Sequence, residues 1–146
     1  MKVKIKKILI ATDGSENVKN AVDWGIQLAK LNDAKVSALY VFPHASVTIG
    51  MRGEMWAKGL NQHLREEGNR AVEYVVDMGK KEGIEVEPVI IEGEEPTNGI
   101  MNFAAENDID IIVMGTLGKT GFEHILLGSV AENVIRHAKK QVLVVP

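Results

Sequence analysis

Five short apolar runs alternate along the chain with longer segments whose apolar residues recur at helical spacing. The runs are rich in Val, Ile and Leu, as in "ILIA" and "VLVV", which is typical of strands buried on both faces of a sheet. The longer segments place apolar residues three or four positions apart, as amphipathic helices do. The pattern predicts strands over residues 6–12, 34–42, 84–91, 110–115 and 141–146, and helices over residues 15–31, 54–81, 96–107 and 129–139.

Strands separated by helical segments predict a parallel sheet, because parallel neighbours need a long crossover connection. The crossover helices then cover both faces of the sheet. With 146 residues, the chain has the length of one ordinary domain. We therefore predict a single α/β domain over residues 1–146, a doubly wound, five-stranded parallel sheet with helices on both faces.

One predicted connection, residues 43–56, is much longer than the usual strand-to-helix loop of about two to six residues. It contains Val47, Ile49, Met51 and Met55, which is an unusually apolar set for a loop in water. Two interpretations stay open. The segment covers a ligand or a partner subunit, or it is an irregular start of the second helix that packs on the chain's own sheet.

Residues just after the first, second and fourth strands are candidates for a binding site. In open α/β sheets, ligands bind beyond the carboxyl ends of the strands, where the strand order reverses. These positions hold Thr12 and Asp13, then Val41, and residues 114–118. Asp13 is suited to accept a ribose hydroxyl or to approach a metal ion, but it also fits a capping box with Glu16 at the start of the first helix. Both interpretations stay open.

The segment "GTLGKTGFEHILLGSVAEN" places glycines between a buried strand and the last helix. Gly115 and Gly118 permit sharp turns, and Gly128 and Ser129 stand where the helix begins and its first N–H groups lack partners. Together with the helix dipole, these amides form a site for an anion such as phosphate. Ser129 and Glu132 also fit the S-x-x-E capping box, which would satisfy the same amides without a ligand.

The composition argues against several classes of function. Seventeen Lys and Arg residues against 20 Asp and Glu give a net charge of -3, which argues against a large nucleic-acid interface. There is no cysteine, and the four histidines lack metal-ligand spacing. No apolar run has the length of a membrane span or of a signal-peptide core. We expect a soluble, cytoplasmic protein that binds neither nucleic acid nor membrane and has no metal site of its own side chains.

Familiar catalytic and cofactor motifs are missing. "GKT" resembles the end of a P-loop, but the position of the required first glycine holds Val113. "TDGSEN" replaces the G-x-G-x-x-G of a dinucleotide fold after the first strand, and no G-x-S-x-G surrounds Ser129. We therefore predict no catalytic residue.

The chain resembles the universal stress protein family over almost its whole length. "ILIATDGSENVKNAVDWGIQLAK" is similar to the family's first strand and helix, and "MGTLGKTGFEHILLGSVAENVIRHAKKQVLVVP" is similar to its closing half. Gly115, Gly118, Gly128 and Ser129 match G-x2-G-x9-G-[S/T], the pattern of the family's ATP-binding branch. The resemblance implies the strand order 3-2-1-4-5.

The resemblance also implies a ligand and an assembly. ATP, with Mg2+ or Mn2+ on its phosphates, would be the cofactor, in a homodimer whose last strand, Gln141–Val145, pairs with its twofold mate. The implied function is a nucleotide-binding regulatory module with an unknown protein partner; a slow ATPase and a ligand-free dimeric scaffold are the alternatives. The implied binding residues are Thr12, Asp13 and Val41 for adenosine, and Met114, Gly115, Gly118, Gly128, Ser129 and Val130 near the phosphates.

Overall fold

The computed structural model describes residues 1–45, 50–117 and 127–146. Over these ranges, five strands alternate with four α-helices, and a short 3-10 helix precedes the first of them. The strands are β1 (Lys7–Ala11), β2 (Lys35–Phe42), β3 (Val86–Glu92), β4 (Ile111–Gly115) and β5 (Gln141–Val145). The helices are the 3-10 helix Glu16–Val18, α1 (Lys19–Asn32), α2 (Gly50–Lys81), α3 (Pro96–Glu106) and α4 (Ser129–His137).

The strands form one parallel sheet in the order β3-β2-β1-β4-β5. The chain runs outward from the central β1 to β2 and β3, and then returns to β4 and β5 on the other side. The strand order therefore reverses between β1 and β4. The predicted doubly wound α/β fold and the order 3-2-1-4-5 are confirmed.

Each face of the sheet has its own apolar core, and β1 contributes to both. Ile8 and Ile10 pack in the core that α1 and α2 cover, whereas Leu9 and Ala11 pack in the core that α3 and α4 cover. All four side chains are at most 7% exposed. A fully buried aliphatic side chain contributes about 1.5–3 kcal/mol to the free energy of folding. The burial of these side chains on both faces therefore holds β1 at the centre of the sheet.

Two helices begin at residues other than those predicted. The 3-10 helix delays the start of α1 to Lys19, and α2 begins at Gly50, four residues earlier than the pattern predicts. The predicted connection over residues 43–56 is therefore wrong in extent. Residues 46–49 lie outside the described residues, so the role predicted for Val47 and Ile49 stays a prediction. Met55 belongs to α2 and is 71% exposed, so it does not pack on the chain's own sheet.

The structure also corrects the predicted helix ends. α3 ends at Glu106, one residue before the predicted end, and α4 ends at His137, two residues before it. The buried residues of α4 are Ala131 and Val134, whereas Ile135 is 46% exposed. In the described ranges, no helix has the length and hydropathy that crossing a membrane requires.

Candidate functional site

A cavity of about 400 Å³ lies at the carboxyl ends of β1, β2 and β4, where the strand order reverses. α3 and α4 provide further walls. The cavity brings together eight of the nine predicted site residues; the ninth, Gly118, lies outside the described residues. The eight are Thr12, Asp13, Val41, Met114, Gly115, Gly128, Ser129 and Val130.

The turn after β1 is closed by two side chains that bond to the backbone. The N–H of Gly14 donates to Thr12 Oγ1 at 3.1 Å, and the N–H of Ser15 donates to Asp13 Oδ1 at 2.9 Å. Gly14 has a φ of +77°, a conformation that glycine adopts at little cost. The turn holds Asp13 at the edge of the cavity with its second carboxylate oxygen, Oδ2, unused by the hydrogen bonds of the described residues.

The capping box predicted for Asp13 and Glu16 is wrong. No side-chain cap hydrogen bond is made at either the 3-10 helix or α1, and Glu16 pairs with Lys19 at 2.9 Å. The physical reason is the inserted 3-10 turn, which moves the start of α1 away from Asp13. Asp13 instead accepts the N–H of Ser15 in the turn after β1, and its role toward a ligand stays a prediction.

The end of β2 presents a backbone donor and acceptor at the cavity. The N–H of Thr12 donates to the Leu39 carbonyl at 2.9 Å, so Leu39 directs its backbone groups toward β1. Backbone groups alternate along a strand, and Val41 therefore directs its N–H and C=O to the same side. There β1 has already ended, at Ala11. Gly14, the residue that would reach the Val41 carbonyl if β1 continued, bonds to Thr12 instead.

The start of α4 borders the cavity on the other side of β4. The N–H of Gly128 donates to the Thr116 carbonyl, and the N–H of Thr116 donates to the Val145 carbonyl at 3.2 Å. These bonds hold the first turn of α4 against the ends of β4 and β5. The first-turn residues Ser129 and Val130 line the cavity.

The capping box predicted for Ser129 and Glu132 is also wrong. The helix begins at Ser129 itself, with Gly128 in the capping position and no side-chain cap hydrogen bond. Glu132 instead bonds Arg136 at 3.1 Å, one helical turn later. Without a side-chain cap, the first amides of α4 are the positive end of a helix dipole that borders a cavity.

The wall between β2 and α3 is apolar and closely packed. Ile100 and Pro96 line it together with the side chain of Val41. Gly99 lets α3 come close, since a Cβ at that position would lie 2.6 Å from a methyl carbon of Val41. An apolar slot beside a backbone donor and acceptor suits a flat heterocycle better than a sugar or a phosphate.

Sequence reasoning missed a polar network that fixes the chain just after β2. Asn61, 7% exposed, accepts the N–H of Ala45 at 2.7 Å and donates to the Ala45 carbonyl at 3.3 Å. Arg65 bonds both carboxylate oxygens of Glu92 and lowers its pKa, and His44 lies 3.4 Å from the same carboxylate. No local pattern in the sequence signals these contacts, because they join α2 to residues 16 and 27 positions away.

No protein site for a metal ion is evident in the ranges that the structure describes: no three His, Asp or Glu residues there are grouped to hold one. Of the described residues that line the cavity, Asp13 is the one that is acidic. A divalent cation at this site would thus take its other ligands from a bound phosphate chain and from water, as Mg2+ commonly does.

A comparison with known protein families identifies the family to which this strand order and glycine spacing belong. The model of the Universal stress protein family matches residues 4–146. The chain belongs to the universal stress protein family. This confirms the membership that the sequence predicts, and three residues of the G-x2-G-x9-G-[S/T] pattern, Gly115, Gly128 and Ser129, line the cavity.

Relatives of this family member match over nearly its full length. Universal stress protein MJ0531 of Methanocaldococcus jannaschii is 44% identical over 140 residues, which is 96% of this chain and 81% of that protein. MJ0577, from the same organism, has a solved structure that matches this one with a TM-score of 0.83. Its sequence is 35% identical, and the match covers 98% of this chain and 96% of that one. The universal stress protein of Archaeoglobus fulgidus, solved in complex with dAMP, is 24% identical with a TM-score of 0.71, over 99% of this chain and 100% of that one.

Proposed function

We propose that the 400 Å³ cavity binds ATP, with Mg2+ or Mn2+ on the phosphates, and that the protein is a dimeric regulatory module that presents its nucleotide-bound state to a protein partner. One observation carries the proposal. The exposed backbone edge of Val41 and the start of α4, which no side chain of the described residues caps, lie at two sides of one cavity. The dAMP complex of the Archaeoglobus fulgidus relative supports the same class of ligand.

The backbone of Val41 suits adenine. An N–H donor beside a C=O acceptor complements the ring N1 and the amino group of adenine on its Watson–Crick edge. Guanine carries an N–H and a carbonyl oxygen at these positions, so both contacts would meet the wrong partner. Selectivity of this kind arises because buried polar groups are left unpaired by the wrong base.

The rest of the nucleotide follows from the position of the base. With the base at Val41 and the phosphates at the start of α4, the ribose lies over the ends of β1 and β4, where Asp13 accepts one of its hydroxyls. The amides of Ser129 and Val130 bind phosphate oxygens. Each hydrogen bond to a charged group contributes about 1.5–3 kcal/mol, which lets a few amides hold an anion on a protein of net charge -3.

The proposed dimer uses β5, which lies at the edge of the sheet. The bond from Thr116 to the Val145 carbonyl directs the odd-numbered residues of β5 toward β4, so Val142 and Val144 point their N–H groups outward. An apolar edge strand is a template for pairing with a second copy. Val144→Pro removes one outward N–H and keeps the bonds to β4; we expect a monomer by sedimentation velocity, and an unchanged dimer would contradict the proposed interface.

Calorimetric titration of nucleotide-free protein tests the proposed ligand. We expect ATP to bind and GTP to bind at least about tenfold more weakly, the effect of one mismatched polar contact. Equal affinities would contradict the role of Val41, and no binding of ATP would leave the scaffold alternative. The same mixture, assayed for ADP with and without Mg2+, reports any hydrolysis.

A further inference from the structure

A second cavity, of about 160 Å³, lies at the carboxyl end of β1 on the face that α1 and α2 cover. It shares Thr12, Asp13 and Val18 with the larger cavity. The turn after β1 is therefore a partition between two cavities. The smaller cavity has about ten times the volume of 10–15 Å³ that one water needs, so it has room for a group of several heavy atoms.

The small cavity offers two hydrogen-bond donors to an incoming group. Arg70 lines it, and no hydrogen bond or ion pair in the described part of the chain involves its guanidinium. Ser15 Oγ is buried and has no hydrogen-bond partner among the described residues. A buried polar atom that lacks a partner calls for a ligand or a water. Lys19 also lines the cavity, where it is paired with Glu16 at 2.9 Å and lies 5.4 Å from the ring centre of Tyr74.

Two carboxylates also line the small cavity, and each has a contact. Asp13 Oδ1 accepts the N–H of Ser15, and Glu67 lies 3.6 Å from the imidazole of His63. Arg70 and the Ser15 hydroxyl thus remain as donors for an incoming oxygen. A planar guanidinium with several N–H groups is well suited to phosphate oxygens.

The proposed position of the nucleotide connects the two cavities. The ribose lies beside Asp13, which lines both of them. One ribose hydroxyl can bond to Asp13, and a substituent on the neighbouring hydroxyl then extends past the partition toward Arg70. The larger cavity therefore takes the base and the 5′-phosphates, and the smaller one is placed to take a group on the sugar.

We propose that the small cavity binds a phosphate on the 2′ or 3′ hydroxyl of an adenine nucleotide, with Arg70 and the Ser15 hydroxyl as its donors. This inference rests on the proposed function, since it requires the base and ribose to lie as described there. It gives the site a preference among adenine nucleotides: a nucleotide that carries a ribose phosphate binds more tightly than the same nucleotide without one.

The test compares three probes by calorimetric titration: AMP, adenosine 2′,5′-bisphosphate and adenosine 3′,5′-bisphosphate. For the unaltered protein, we expect one bisphosphate to bind about fivefold more tightly than AMP, the effect of a solvent-exposed charge pair. The tighter of the two identifies the hydroxyl. Arg70→Gln should bring the ratio of bisphosphate to AMP affinity close to one, and Ser15→Ala should lower it by a smaller factor.

Lys80→Gln is the matched control, because Lys80 is an exposed cation on the same helix and does not line the cavity. It should keep the full ratio. If AMP binds but neither bisphosphate is tighter, or if Arg70→Gln keeps the ratio, the inference is overturned and the proposed function stands. If AMP and ATP both fail to bind, the proposed function is overturned and the inference falls with it.

Discussion

The two ends of the sheet complete the hydrogen bonding of their backbone in opposite ways. At the amino end, the carboxylate of Asp110 accepts the N–H groups of Lys6 and Lys7 at 2.8 and 2.9 Å. At the carboxyl end, Val41 directs its N–H and C=O past the end of β1, and α4 begins without a side-chain cap. A side chain pairs the strand's N–H groups at one end, whereas at the other end the backbone of Val41 and the first amides of α4 border a cavity with no side-chain partner among the described residues.

This difference between the two ends of the sheet shows where a ligand can gain hydrogen bonds without breaking ones that the protein already makes. Backbone groups that are already paired gain little from a ligand, whereas groups left without a protein partner gain a full hydrogen bond. The two failed capping predictions point the same way, because Asp13 and Ser129 both lie at the carboxyl end. Asp13 closes the turn after β1, and neither Asp13 nor Ser129 caps a helix in the described part of the chain.

The largest expected effect is at the start of α4. Gly128 has a φ of -71°, so valine fits the backbone there, and Gly128 lines the cavity beside the proposed phosphate position, where we expect an added side chain to obstruct the ligand. Gly128→Val should weaken ATP binding about a hundredfold or more, the loss of two charge-assisted hydrogen bonds. Gly59→Val is the control, because nothing lies within 4 Å of a Cβ at Gly59. Titration of both folded variants checks this, and equal affinities would remove the phosphate assignment.

A smaller effect is expected at Asp13. Asp13→Asn keeps the oxygen that accepts the N–H of Ser15 and removes the charge. The affinity for ATP should fall about tenfold, the value of one charge-assisted hydrogen bond to the ribose. The affinity for 2′,3′-dideoxy-ATP should change much less, since it has no hydroxyl to lose. A similar loss for both nucleotides would show that Asp13 acts on the turn and not on the ribose.

At the amino end of the sheet, a substitution of Asp110 should lower the stability of the fold without changing the affinity for ATP. The N–H of Lys6, with that of Lys7, lowers the pKa of the Asp110 carboxyl below its ordinary 3.8. Asp110→Asn should reduce the free energy of unfolding by about 1 kcal/mol at pH 7, measured by urea denaturation. ATP affinity should stay within about twofold; a larger change would mean that the two ends are coupled.

The lowered pKa of Asp110 also fixes the pH dependence of this stability. A carboxyl whose pKa is lower in the folded protein contributes fully above the pKa of the unfolded chain, and the contribution is lost as the pH falls through the folded value. The difference between Asp110→Asn and the unaltered protein should therefore be complete above about pH 5 and shrink in stronger acid. A difference that is the same at pH 3 and pH 7 would rule out the charge as its source.

The fold was more predictable from the sequence than the details of the site. Apolar runs and helical spacing extend over many residues, so β1 to β5 were found despite errors of a few residues at their ends. A capping box depends on a single position. One 3-10 turn before Lys19, and one residue of shift at Ser129, were enough to make both capping predictions wrong.

Contacts between distant residues were not predictable at all. Asn61 and Arg65 lie on a long amphipathic helix and look like ordinary polar positions, yet they hold Ala45 and Glu92. The Ser15 hydroxyl has no hydrogen-bond partner among the described residues and lies in a cavity with residues of α2, a placement that the local sequence does not signal. Gly118 lies outside the described residues, and its role in binding stays a prediction.

Amide chemical shifts of nitrogen-15 labelled protein during titration with ATP test the central claim most directly. The account predicts that the N–H signals of Val41, Ser129 and Val130 move with ATP, whereas those of Lys6 and Lys7 keep their positions. The same titration without nucleotide, with Mg2+ alone, is the control. Shifts confined to the amino end of the sheet, or no shifts at a saturating concentration of ATP, would contradict the account.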